Sequence, residues 1–110
     1  MNTEKLEMWE IMVPTMSNEK KPFRTRYHKV WDKSVYEIAG GVTIMTPVKG
    51  KWVFKDDEKL FEERMIPVRI VCTRAQIEKI ITMTIKYYDQ LAVIAYKISD
   101  EVIIRNKNGS

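Results

Sequence analysis

The chain has 110 residues, of which 45% are hydrophobic and 31% charged, the size and mixture of one globular domain rather than a disordered tract. Its formal net charge of +4 suits an anionic partner such as a nucleotide. No apolar run approaches the roughly 18 residues of a membrane helix, the N-terminal stretch lacks the apolar core of a signal peptide, and a single cysteine excludes an internal disulfide.

These totals lead us to expect one cytoplasmic domain over residues 1–110, with 1–7 and 105–110 as flexible ends, and no membrane or DNA partner. In chain order, residues 8–13 alternate as a first strand with Trp9, Ile11 and Val13 on one face, and Pro14 ends it. A polar, basic loop follows. Residues 26–39 read as a first helix, with Trp31, Val35 and Ile38 at helical spacing and Gly40-Gly41 as its stop. A second strand covers residues 42–46, breaks near Pro47 and resumes over 51–54. A third strand covers 60–72, in which Pro67 marks an edge or bulge. Thr73 and Gln76 form a Thr-x-x-Gln capping box at the start of a second helix, whose apolar stripe is Ile77, Ile80, Ile81, Thr84, Ile85 and Tyr88. The apolar run Leu91 to Ile98 predicts a fourth strand, central and well buried. Val102 to Ile104 are set for a short edge strand.

The order β-α-β-β-α-β is that of a ferredoxin-like α+β domain, an antiparallel sheet with both helices on one face. The other face then needs a partner. Trp9, Trp52, Phe54, Phe61 and Met65 are the large apolar residues expected there, which points to a homo-oligomer.

The residues offer little ready-made chemistry. There is no glycine-rich phosphate loop, no His/Cys metal spacing and no Ser-His-Asp order, so neither metal nor cofactor is expected. Cys72 lies in an apolar strand and reads as a core residue. The stretch Lys20 to Lys29 is either a solvated loop or a phosphate-facing one, in which Arg24, Arg26 and His28 contact the anion; RNA binding is a weaker reading of the same residues. Glu62 and Glu63 point to opposite sides of their strand. They pair with Lys55 or Lys59 as surface charges, or one of them faces a cationic ligand. Tyr36, Tyr87, Tyr88 and Tyr96 fit core packing, and Trp52 either packs or stacks on a base.

The run from Glu62-Glu63 through Val68-Arg69-Ile70-Val71-Cys72, the amphipathic helix ending Tyr88-Asp89-Gln90, and the apolar strand ending Tyr96-Lys97 resembles the phage S-adenosylmethionine lyase (SAM hydrolase) family. Gly50-Lys51-Trp52 extends the likeness upstream. The resemblance implies a trimer of PII-like subunits that binds a sulfonium nucleotide between chains. Such enzymes cleave S-adenosylmethionine to methylthioadenosine and homoserine lactone without a cofactor, using a carboxylate and an aromatic hydroxyl. The family's acid after the Gly-x-aromatic element is replaced here by Phe54, which leaves Glu63 or Glu62 as the catalytic carboxylate and Tyr88 as the hydroxyl. Trp52, Arg24, Arg26, His28, Lys49 and Arg69 become the substrate-binding set. The added basic residues suit an adenylated substrate of the SAM-AMP type, and the phage setting implies counter-defence against CRISPR signalling. A sponge that holds such a signal uncleaved, and an inhibitor that docks a protein on its sheet face, are the alternatives.

Overall fold

The computed structural model describes residues 4–53 and 60–108; the side chains of Trp52 and Phe61 lie outside the described part, as do Phe54, Lys55 and Lys59 entirely. The elements are β1 (Glu7–Pro14), α1 (Thr25–Ala39), β2 (Thr43–Ile44), β3 (Val48–Val53), β4 (Leu60–Cys72), α2 (Arg74–Tyr88) and β5 (Ala95–Ser99). All strand pairs are antiparallel, in the order β2-β4-β1-β5, with β3 also on β4. This is the expected ferredoxin-like arrangement.

β4 is the spine. Its residues from Met65 to Cys72 pair with the whole of β1, while Leu60 to Arg64 pair only with β3. The β3–β4 hairpin therefore extends past the end of β1 as a two-stranded arm. Its root is tied down by Thr15, whose N–H and hydroxyl both donate to the Arg64 carbonyl, at 3.3 and 2.7 Å.

Pro67 lies inside this spine without breaking it. Its carbonyl accepts from the Met45 N–H at 2.9 Å. The N and O of one strand residue point to the same neighbour, so the missing Pro67 donor faces the gap between β2 and β3. The proline and the interruption around Pro47 belong to one feature.

Strand alternation decides the core. Trp9, Ile11 and Val13 of β1 share a face with Val68, Ile70 and Cys72 of β4. That face packs against Trp31 and Val35 of α1 and Ile77, Ile80 and Tyr88 of α2. The Trp31 indole donates to the Thr84 hydroxyl at 2.9 Å, and that hydroxyl donates to the Ile80 carbonyl at 2.6 Å, so the buried polar atoms between the helices are paired.

The helix ends behave as their residues dictate. Gly40 takes the left-handed conformation (φ 91°) and its N–H donates to the Tyr36 carbonyl, closing α1. At the start of α2 the Gln76 N–H donates to the Thr73 hydroxyl at 3.2 Å and the Thr73 N–H donates to Gln76 Oε1 at 2.9 Å. Gln76 Nε2 also donates to the Ile38 carbonyl at 3.0 Å, so one side chain caps α2 and ties it to the last turn of α1. Gln76→Ala is expected to cost about 1–2 kcal/mol, read from urea unfolding, because it removes a cap and strands a carbonyl.

Three sequence expectations are corrected. Trp9 is not on the free face but is buried against the helices, with the Arg74 guanidinium 5.6 Å from its ring centroid, while Met65 keeps the expected side of β4, the one that carries Arg69, but is buried there. The last strand starts at Ala95, not Leu91, and is an edge strand paired only with β1. Leu91 is fully exposed and Ile94 is 58% exposed, since a continuous apolar run marks burial only where both faces are covered. Val102 to Ile104 form no strand, and Ile103 and Ile104 stand in solvent.

Candidate functional site

Both helices lie on one face of the sheet. On the other face the register sets up a row across four strands: Thr43 of β2 opposite Arg69 of β4, Arg69 opposite Glu10 of β1, and Glu10 opposite Tyr96 of β5. Met8 and Met12 flank Glu10 on the same face of β1, with Val71 and Pro67 beside them on β4. The row is thus a polar line through apolar neighbours.

Glu10 is its centre. Its side chain is only 7% exposed. Arg69 Nε donates to Glu10 Oε1 at 2.9 Å, and the Tyr96 hydroxyl donates to Glu10 Oε2. Burial by itself would raise the Glu10 carboxyl. The hydrogen bonds from Tyr96 and Arg69, with the guanidinium charge, outweigh it and hold the group below its ordinary value. The same carboxylate, by accepting the phenol proton's bond, pushes Tyr96 upward, with burial adding to it.

A depressed carboxylate contributes stability above its unfolded value of about 4.3 and loses it as the pH falls through the folded value. Glu10→Gln should therefore lower stability at pH 7 by about 1–2 kcal/mol. The loss stays at the lower end for a charged hydrogen bond because Arg69 is 40% exposed and solvent screens it. The gap between the two proteins should narrow as the pH falls below about 4.3, the unfolded carboxylate's value, as followed by thermal unfolding against pH.

The residues singled out from the sequence fall in three places. Glu62, Glu63 and Lys49 are on the arm. Glu62 pairs with Lys51 across the ladder at 3.3 Å; Lys55 and Lys59, its other expected partners, lie outside the described residues. Glu63 lies opposite Gly50, is exposed, and shares by alternation the side of β4 that carries Arg69. Arg69 is in the sheet-face row.

Arg24, Arg26, His28 and Tyr88 meet where α1 begins and α2 ends. There Tyr27 stacks between Phe23 and Tyr87, at centroid distances of 5.2 and 4.1 Å. The Tyr87 hydroxyl donates to the Tyr27 carbonyl at 2.9 Å, and the Tyr27 hydroxyl donates to the Tyr87 carbonyl. Arg24 and Arg26 line a shallow groove beside these rings with Pro22 and Val30. Tyr88 is 1% exposed, with its hydroxyl 2.7 Å from His28 Nδ1. Burial pushes that phenol far up, and burial likewise pulls His28 down while Asp32, one turn on, partly offsets this. Burial raises Asp32 in turn.

The Tyr88 hydroxyl is thus a core group on the helix side, and the paired carboxylate and phenol on the open side are Glu10 and Tyr96. The sequence signal for Glu10 was weak. It is one charged residue inside an apolar strand, MWEIMV, flagged only by needing a partner. The side chain of Trp52 lies outside the described residues. Among the described residues no three His, Cys, Asp or Glu side chains gather to hold a metal ion, and no helix is long and apolar enough to cross a membrane.

No protein-family model matches the sequence, and no curated protein matches it. Solved structures do. A phage SAM lyase in complex with S-methyl-5′-thioadenosine aligns with TM-score 0.64 at 11% identity, over 90% of this chain and 93% of that one. CutA1 from Oryza sativa aligns with TM-score 0.67 at 9% identity, over 94% and 87%. The periplasmic divalent cation tolerance protein CutA from Archaeoglobus fulgidus aligns with TM-score 0.66 at 12% identity, over 90% and 87%. At these identities the likeness establishes the fold these proteins share with this chain.

Proposed function

We propose that the chain is the subunit of a homo-oligomer, a trimer, that binds a sulfonium nucleotide of the S-adenosylmethionine class at the seams between subunits and cleaves it. The observation that carries this reading is the uncovered sheet face with its buried carboxylate. A face bearing Met8, Met12 and Val71 favours a sister chain over water, and a ligand at such a seam meets Glu10, Tyr96, Arg69 and the arm's Glu63. The structural likeness to a lyase solved with a methylthioadenosine product supports the substrate class.

The proposed reaction balances without help. A carboxylate oxygen of the substrate attacks its own γ-carbon, the new C–O bond closes the lactone, the C–S bond breaks, and its electron pair stays on sulfur as the neutral thioether. No proton, metal or oxidant is needed. A carboxylate and a sulfonium both lose charge in the transition state, so a water-poor seam favours the reaction over bulk solvent. The protein's work is to fold the substrate so that oxygen and γ-carbon meet in line.

Glu63 and Arg69 are six residues apart on one strand, which is about 20 Å at roughly 3.3 Å per residue. A site that uses both takes them from different chains. In this reading Glu63 of one arm sits against the sulfonium of a ligand whose anionic end meets the neighbour's sheet face. An adenylated substrate of the SAM-AMP type, a cytoplasmic setting and phage counter-defence are the finer expectations of the same proposal.

The test is direct. Purified protein incubated with S-adenosylmethionine should release methylthioadenosine, detected by mass. Intact ligand recovered after heat release would instead favour the sponge, a reading that Phe54 supports by standing where the lyase resemblance asks for an acid.

A further inference from the structure

We infer that Arg69 and Thr43 form an oxyanion-binding site on the uncovered sheet face, taking a carboxylate or a phosphate group. The guanidinium is a planar fork with five N–H donors. Here Nε is committed to Glu10 at 2.9 Å, and among the described residues no acceptor takes the terminal nitrogens. They belong to a side chain that is 40% exposed while its carboxylate partner is 7% exposed. The charge that holds the arginine in place is therefore deep, and the donors still free are at the surface.

Thr43 lies directly opposite Arg69 on β2, on the side away from Glu10. Opposed residues of antiparallel strands have Cβ atoms about 5 Å apart, so one oxygen of a bound anion can take the threonine hydroxyl while the others face the guanidinium. Lys97, the nearest basic residue of β5, is turned to the opposite face, where it pairs with Glu7 at 2.9 Å and lies 5.9 Å from the Trp9 ring. Arg69 is thus the only cation in the row. A carboxylate or phosphate fits this fork bidentately, which a lysine would not offer. Since Glu10 neutralises much of the charge, one such fork should bind a small anion at about millimolar strength.

The identity of the ligand rests on the sulfonium-nucleotide reading, in which this site holds its anionic end; the site itself does not. Titration calorimetry with inorganic phosphate and with acetate, at constant ionic strength made up with chloride, tests it. At least one of the two should bind. Arg69→Met should weaken that binding about tenfold, Arg69→Lys should keep part of it, and Thr43→Val should weaken it about threefold. Binding of phosphate alone assigns a phosphate ester, and of acetate alone a carboxylate. No binding by the wild type, or equal binding by Arg69→Met, overturns the site. So does loss of the oligomer in both Arg69 variants by light scattering, which would make a sister chain the guanidinium's partner. A wild type that binds through Arg69 yet forms no methylthioadenosine loses the lyase reading only; one that forms methylthioadenosine while ignoring both anions loses this site only.

Discussion

Mixing Glu63→Gln subunits with Arg69→Met subunits should restore about a quarter of wild-type turnover, although each variant alone is expected to lose about a hundredfold or more. The distance along β4 is the reason. About 20 Å separates the two side chains within one chain, and the arm carries Glu63 beyond the sheet that holds Arg69. In a closed ring each seam takes its arm from one subunit and its sheet face from the next. When equal amounts are unfolded together and refolded, a seam is intact when the arm comes from the Arg69→Met chain and the face from the Glu63→Gln chain. Each has a chance of one half, so about one seam in four is whole. Methylthioadenosine release from the mixed oligomer measures this. Zero recovery, with both variants assembling normally, would place the two residues in one subunit's site or remove one of them from the chemistry.

Tyr88→Ala should destabilise the fold by about 3–5 kcal/mol, while Tyr88→Phe should cost about 1 kcal/mol and leave turnover intact. Tyr88 is 1% exposed at the joint of both helices, with Trp31, Phe23, Tyr27 and Tyr87 in ring contact. Removing the ring opens a cavity that those neighbours are too rigid to fill. A loss of that size is a large share of a small domain's total stability of about 5–15 kcal/mol. Removing the hydroxyl alone only frees His28 Nδ1, on a ring that is half-buried and can turn toward water. Urea unfolding of both variants, with turnover measured below the transition, separates the two effects. A Tyr88→Phe protein that is stable but inactive would return this hydroxyl to the chemistry.

The row at Glu10 shows why part of a site stays hidden in a sequence. Thr43, Arg69, Glu10 and Tyr96 lie on four strands, and the row spans 86 positions of sequence from Glu10 to Tyr96 with no local pattern that hints at their contact. Cross-strand neighbours follow from register, and register follows from which face is buried. Glu62 and Glu63 were visible because they are adjacent in sequence. Glu10 was not, because its partners are 59 and 86 positions away.

Much was determined by the sequence alone. Helix spacing placed Trp31 and Val35 inward, the Thr73–Gln76 box set the start of α2, and Gly40 set the end of α1. These are contacts within four residues, whose geometry is local and needs no knowledge of the rest of the chain. The element order then specified a ferredoxin-like sheet. Only the tertiary structure decided that the apolar run after α2 is a half-open edge strand, that Trp9 faces the helices, that the Tyr88 hydroxyl meets His28, and that a carboxylate stands in the middle of the free face. Each of those depends on which surface another element covers, and coverage is a property of the packed layers rather than of any short stretch of residues.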